Sequence, residues 1–572
     1  MHFPWIFLLI ALFFNKIEEL PANRKMFSSP LKTPVLLSAN FGELRSDHFH
    51  SGLDIKTQGV TGKEVVAAAS GYIYRISISS SGFGKTLYMR HPSGYSTVYA
   101  HLDRFIPEIE EFVIARQYEK KSFSVNIFPP KNRFTFDQHD LIAYSGNSGS
   151  SAGPHLHFEI RKSENEEPVN PLLFEFGIED NIKPVIERLV VYPLKPNSYI
   201  NNQNKPFQYS VTGSRGNYHL TNQRPINISG AAGFGIKSFD LLNNSHNKCG
   251  IYSITLEVDS NIVYVYKMDR FSFSESRYIN SHIDYEILMK DKIYVERLFL
   301  QPNNRLRSYR DVVNNGIVTF DDGRKHFVRI IVTDKHNNES TLSFIVNSVS
   351  QPEVAEQKEE NHYVAMPYAR NNRFVTDKVM VNIPAGTLYD TLFFEYSRSA
   401  RKRGMLSEAH QIHNRFTPVH KSYSLSIKPD TVLPGKEDQM LIVQTSFNGK
   451  DIPLRTSWSN GFLTANPMSF GTFYIGIDTV SPVITPIGFA PDSDLSSRKD
   501  MKFRISDSFS GIMTYEPSID GKWALFEYDQ KNNLLIYQFD PKRITKGTRH
   551  NLVLEVTDNA GNLSTFNSSF NW

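Results

Sequence analysis

The sequence predicts an all-β protein: an antiparallel β-sheet domain over residues 33–175, followed by three β-sandwich modules. Three observations carry this reading. Aromatic residues reach 13%, with 41 Phe and 27 Tyr, and lie among short Val/Ile/Thr runs that suit pleated strands better than helices. Those runs are joined by Gly, Pro, Ser, Asn and Asp turns at hairpin spacing. A strand–turn–strand segment also recurs late in the chain. At 572 residues the chain is too long for one core and divides into roughly three or four domains. With 40% hydrophobic and 21% charged residues it is globular rather than disordered. The net charge of +4, without a dense Lys/Arg stripe, makes no nucleic-acid footprint and allows weak attraction to an anionic envelope. The single cysteine, Cys249, excludes an intrachain disulfide and a thiolate-rich metal site. Any metal is then held by histidine and carboxylate.

From the N-terminus, Phe3–Phe14 is an apolar run shorter than the roughly 20 residues a bilayer crossing takes. Residues 1–20 therefore read as an export signal or N-terminal anchor, which sends the protein to the periplasm or cell envelope. From Val35 the pattern is strand-like: Glu64–Ile76, Thr86–His91 and Ser96–Leu102, parted by turns at Gly59–Gly62, Ser80–Lys85 and Pro92–Tyr95. Pro107–Lys121 predicts a helix, with Pro in the first turn, acids early, and Lys120 and Lys121 late. It opens an insertion, about residues 105–140, between two parts of one sheet. Strand pattern resumes at Leu141–Tyr144 and His155–Ile160, and the unit closes near Asn170–Phe174.

The remainder alternates strands with Asn/Asp/Gly turns. Gly323-Arg-Lys-His326 leads to Val332-Thr-Asp-Lys-His-Asn-Asn-Glu-Ser340, and Gly547-Thr-Arg-His550 leads in the same step to Val556-Thr-Asp-Asn-Ala-Gly-Asn-Leu-Ser564. A strand, an Asp/Asn turn and a second strand suit the last hairpin of a sandwich, and the segment resembles bacterial immunoglobulin-like modules. The expected division is an Ig-like module at 181–348, a polar acidic linker at 349–361, a β-rich module at 362–477 and an Ig-like module at 480–572.

Histidines concentrate in three pieces: Asp47-His-Phe-His-Ser-Gly-Leu-Asp54, Tyr99-Ala-His-Leu102 and Gly153-Pro-His-Leu-His-Phe158. On a strand, His155 and His157 project from one face, about 7 Å apart. Gly52 makes a helical pairing of His50 with Asp54 poor, whereas a loop entering the strand Leu53–Ile55 can aim both at one point. A His, Asp, His set leaves a tetrahedral zinc ion one open position, the mark of a catalytic rather than a structural site.

These pieces resemble the lysostaphin-type (LytM-type) zinc metallopeptidases, whose signature is His-x-x-x-Asp followed much later by His-x-His. The likeness extends in order through Phe41-Gly-Glu-Leu-Arg45, His50-Ser-Gly-Leu-Asp54, Gly62–Gly71, Gly82-Phe-Gly-Lys-Thr-Leu-Tyr88, Thr97–Leu102 and Gly146–Glu159. It covers residues 33 to 175. It implies one zinc ion on His50, Asp54 and His157, with His101 and His155 acting around the water and the tetrahedral intermediate. It further implies hydrolysis of peptide cross-links in bacterial peptidoglycan, with glycine-rich proteins as a lesser option. The C-terminal modules are expected to position the enzyme or bind an envelope partner. The rival implication is a non-catalytic regulator or scaffold that activates other wall hydrolases, the role of relatives that have lost ligands; here all five positions are filled. The insertion is longer than the family's usual connection and is expected to lie beside the cleft.

Other polar residues have plainer readings. His48 reads as a solvated loop residue, His91 as hairpin polarity, His139 as a turn residue, and His326 and His550 as strand starts. Asp334 and Asp558 suggest calcium less than turn formation. Arg45 either meets a substrate carboxylate or buttresses the loop. The Gly146–Gly153 turn lacks the Lys and helix of a phosphate cradle and feeds the His155 strand into the sheet.

Overall fold

The computed structural model describes residues 25–350, 364–446 and 448–572. The expected export segment and nearly all of the linker lie outside them. Strands dominate throughout, so the protein is all-β. No helix among the described residues is long and apolar enough to cross a membrane.

The N-terminal sheet contains β1 (Leu37–Ala39), β2 (Leu53–Lys56), β3 (Glu64–Val66), β4 (Gly71–Ile78), β5 (Lys85–Arg90) and β6 (Tyr95–Phe105). It continues through β7 (Val125–Ile127), β8 (Thr135–Phe136), β9 (Leu141–Ser145), β10 (His155–Lys162) and β11 (Pro168–Val169). The spatial order is β1-β2-β10-β6-β5-β4-β7, with antiparallel neighbours. Period-2 alternation sends Leu156, Phe158 and Ile160 into a core with Leu53, Ile55, Leu87, Met89 and Tyr99, so the odd-numbered residues of β10 face the other way.

The insertion, expected to lie beside the cleft, is built onto the sheet at β6 and β4. Its helix α1 (Pro107–Lys120) follows β6, and its strands β7 and β8 extend the sheet at β4, three strands from β10. Ile109 and Val113 seal that edge, and Lys121 ends the helix in the left-handed region.

Residues 185–348 form a thirteen-stranded system around the long strand Ile226–Leu241. Two short helices, Ile279–His282 and Tyr285–Asp291, interrupt this β-rich stretch. Asp284 caps the second by accepting from the Ile287 amide at 3.0 Å. Residues 364–477 hold two five-stranded sheets, and the last stretch packs two four-stranded sheets around Phe503, Phe526, Leu552 and Leu554. The repeated segments are hairpins in matching register, Val332 opposite Ser340 and Val556 opposite Ser564.

The chain clamps its N-terminal domain from two sides. Phe41 and Phe49 leave that domain's core and pack with Phe271 of the second stretch, at ring distances of 5.2 and 5.7 Å. On the other side, Trp523 meets Tyr118 of α1 edge-on at 5.2 Å, and Arg543 stacks on Tyr118 at 3.8 Å. Lys85 pairs with Glu527 at 3.1 Å, and the Lys531 ammonium donates to the carbonyls of Asn147 and Ser151. The insertion is thus a docking platform for the end of the chain.

Candidate functional site

The register of three strands assembles the site. His157 on β10 lies opposite Asp54 on β2 and opposite Ala100 on β6. Asp54, His155 and His157 therefore share one face, and His101 follows Ala100 beside them. His50 arrives on the loop before β2. Gly52 lets that loop lie flat, because a Cβ there would sit 2.4 Å from the Phe158 carbonyl oxygen and 2.9 Å from Glu159 Cγ. A Gly52→Ala variant is expected to lose about 1–3 kcal/mol of stability and to retain less metal, read by thermal melts and metal analysis.

Three donor atoms converge. His50 Nε2 is 3.0 Å from Asp54 Oδ1 and 3.1 Å from His157 Nδ1, and the latter is 2.9 Å from Asp54 Oδ1. Each ring is oriented from behind. His50 Nδ1 donates to the Asn40 carbonyl at 2.7 Å, which leaves Nε2 for the centre. His157 Nε2 donates to Glu159 Oε1 at 2.9 Å, and Phe83 stacks on the His157 ring. Asn40 is itself tied to Gly250 of the second stretch by a pair of hydrogen bonds at 2.9 and 2.7 Å.

The other two histidines border this centre. His101 sits at φ +59°, a left-handed backbone at the irregular step in the pairing of β6 with β5, which re-aims its side chain. Its Nδ1 donates to the Ser148 carbonyl at 2.9 Å. His155 Nδ1 donates to the Gly153 carbonyl at 2.8 Å, and its Nε2 stands 3.4 Å from Asp54 Oδ1. The two rings are 4.8 Å apart. Both present an Nε2 to the same opening, so the Gly146–Gly153 turn does more than feed β10: its carbonyls fix two tautomers.

Electrostatics separate the histidines. Burial, with the charges of His157 and His155, lowers His101 to about 3, so its ring is neutral and its Nε2 keeps a lone pair. His157 goes the other way. Burial alone would lower it, but hydrogen bonds to Asp54 and Glu159 raise it to about 9. Asp54 lies well below the carboxylate range because the histidine contacts outweigh its burial. Glu159, fully buried, is held at about 2 by Arg161 and His157 against the cost of burial.

Sequence reasoning missed Glu159, Ser51 and Phe83. Glu159 was visible in principle, two residues beyond His157 on the same strand face. It accepts from Ser51 Oγ at 2.5 Å, and its second oxygen accepts from Arg161 Nε at 2.5 Å. Arg45 buttresses the centre, 3.5 Å from Asp54 Oδ2 and 3.3 Å from Glu43 Oε1. His48 is exposed beside Asp47, and His139 holds a positive-φ turn, both as expected. His91 is more than hairpin polarity: it is buried, bonded to the Ser70 carbonyl and Thr97 Oγ1. His326 and His550 each brace a turn, through Asp259 and Asp520, at 2.7 Å.

Comparison with known proteins adds a likeness. Residues 48–118 match the family described as Peptidase family M23, and residues 363–478 match the Zu5-like domain. The first match ends before β10, so His155 and His157 rest on the structure. An uncharacterized metalloprotease of Haemophilus influenzae is 33% identical over 123 residues, 22% of this chain and 20% of that protein. The DD-carboxypeptidase/endopeptidase Mpg of Neisseria meningitidis serogroup B is 29% identical over 129 residues, 23% of each chain. This chain thus spans about a fifth of the length of the curated relatives it matches. Among solved structures, the catalytic domain of the prophage-encoded M23 protein EnpA from Enterococcus faecalis is 23% identical with a TM-score of 0.19, covering 25% of this chain and 95% of that one. The N-terminal domain of this chain is similar to peptidase family M23, with the match carried by residues 48–118.

Proposed function

We propose that this domain is a zinc-dependent endopeptidase that hydrolyses peptide cross-links of bacterial peptidoglycan outside the cytoplasm. The observation that carries the reading is the convergence of His50 Nε2, Asp54 Oδ1 and His157 Nδ1, with separations of 2.9–3.1 Å. Donors on one zinc ion at about 2.0–2.1 Å stand roughly 3.3 Å apart in a tetrahedron, so the three atoms fit with small adjustment. Two nitrogens and a carboxylate oxygen suit zinc chemically. When bound, zinc supplies Lewis-acid polarisation of a carbonyl and acidification of water. His101 Nε2 is neutral and free to accept a proton from a nucleophilic water. His155, with its Nδ1 donating to the Gly153 carbonyl, turns Nε2 to the same rim, where it would donate to the developing oxyanion only in the protonated, imidazolium form. Glu159 and Asn40 hold the ring orientations that keep the donor lone pairs aimed inward.

The reading is tested by incubating the full chain with purified peptidoglycan while measuring metal content and new amino termini. One zinc per chain and released amino termini support it; a zinc-free chain, or a zinc-loaded one that releases none, favours the regulator role. Zinc uptake also carries a pH signature. In the metal-free protein His157 holds a proton up to about pH 9. Zinc must displace it, so affinity falls about tenfold per unit as pH drops below that value, and about one proton leaves per zinc bound at pH 7. Calorimetry in buffers of different ionisation enthalpy measures that proton, and its absence would show that His157 is already neutral before zinc binds.

A further inference from the structure

The repeated hairpins each gather a cluster of aspartates that turn formation does not explain. In the second stretch, carboxylate oxygens of Asp180 and Asp334 and a ring nitrogen of His336 lie within 4.8 Å of one another. Near the C-terminus, carboxylate oxygens of Asp478, Asp507 and Asp558 do the same. The hairpin turns engage only one aspartate of each cluster. Asp334 Oδ1 accepts from the His336 and Asn338 amides at 2.8 Å, and Asp558 Oδ1 accepts from the Ala560 and Asn562 amides at 2.9 and 2.8 Å.

The two clusters are built alike. Asn338 Nδ2 donates to the Asp180 carbonyl and to Asp334 Oδ2; Asn562 Nδ2 donates to the Asp478 carbonyl and to Asp558 Oδ2. Ser340 Oγ donates to the Pro184 carbonyl, and Ser564 Oγ to that of Pro482. Asp180 and Asp478 each precede those prolines by the same spacing, on the segment that enters the sandwich.

A third carboxylate, Asp240, adjoins the first cluster, close enough to feel the charges of Asp334 and Asp180. Asp240 ends the strand Ile226–Leu241, is only 2% exposed, and its Oδ1 has no hydrogen-bond partner among the described residues. Asp180 Oδ2 is buried and equally without one, and so is Asp507 Oδ1 in the other cluster. Burial first, then the adjoining charges of Asp334 and Asp180, push the Asp240 acid up to about 8. His336 is engaged elsewhere. Its Nε2 donates to the Ile178 carbonyl at 3.0 Å, its Nδ1 is 4.0 Å from Asp180 Oδ2, and Ala560 stands at the matching position of the other copy.

We propose that Asp180, Asp240 and Asp334 bind one calcium ion and Asp478, Asp507 and Asp558 a second, each tying the segment that enters a sandwich to its last hairpin. Oxygen donors from flexible carboxylates suit a hard cation of this size. The ions brace two junctions: Asp180 follows the M23 domain, and Asp478 ends the Zu5-like match, where Gln439 Nε2 also meets Asn562 Oδ1 at 2.6 Å.

The test uses the full chain, stripped with a calcium-selective chelator and dialysed against calcium chloride. Two calcium ions per chain and a rise in Tm are expected, with zinc content unchanged. Asp240→Asn and Asp507→Asn, which keep side-chain shape, are each expected to retain one ion, and the double variant none. A wild-type chain that retains no calcium and shows no Tm shift would overturn the proposal, as would variants that still hold two ions. Manganese or zinc retained in place of calcium at the Asp180 cluster would overturn the assignment there.

Discussion

His155→Ala is expected to keep one zinc ion per chain while losing turnover on peptidoglycan by about a hundredfold or more. His157→Ala is expected to be purified without zinc and without activity. The contrast follows from position. His157 Nδ1 is one corner of the converging donor set, so its removal leaves only His50 and Asp54. His155 Nε2 stands 3.4 Å from Asp54 Oδ1 on the open side, and its Nδ1 is spent on the Gly153 carbonyl. Its loss leaves the three donors untouched. His101→Ala should behave as His155→Ala does, because its Nδ1 is likewise occupied, by Ser148. Metal analysis beside an amino-terminus release assay separates the two classes. Loss of zinc from His155→Ala would place that residue among the ligands and break the argument.

Replacing Glu159 is expected to cause the largest combined loss of metal and stability. It is wholly buried, receives hydrogen bonds from His157, Ser51 and Arg161, and compensates an Arg161 that is itself 5% exposed. Glu159→Ala leaves that guanidinium with Glu166 alone, 3.5 Å away and partly solvated, at a cost of about 3 kcal/mol. It also frees the His157 ring to rotate or change tautomer, which weakens zinc binding by roughly 10–100-fold. Glu159→Gln keeps the shape and an acceptor for His157, so it should fold nearly normally yet bind zinc more weakly. Denaturant unfolding and chelator competition measure the two effects separately. Unchanged zinc affinity in both variants would show that the carboxylate serves only packing.

The five histidine and aspartate positions were legible because each sits in a short local pattern whose geometry is local too. Strand parity put His155 and His157 on one side, and the same parity pointed to Glu159. What brings His50 and His101 to them is pairing between distant strands, which no local pattern encodes; there the order of the family motifs stood in for geometry. Nothing local shows what Phe41 and Phe49 pack against, since their partner Phe271 lies more than two hundred positions away. The helices near residue 280 were not anticipated within the β-sandwich module expected at 181–348, because each is only one or two turns long. Even so, Asp284 as a cap, Glu286 in the first turn and Lys290 in the last were a helix signal in plain view. The length of the insertion was visible, but its role as a platform for Trp523 and Arg543 depended on residues four hundred positions later.

That closure bears on how the molecule matures. The turn carrying Ser148, whose carbonyl sets His101, gains its contact with Lys531 only after most of the chain has been made. Contacts of such sequence separation form late, since loop closure must precede them. A nascent chain therefore carries the metal-binding strands well before the rim around them is finished, and the finished cleft is a property of the whole polypeptide rather than of its first third.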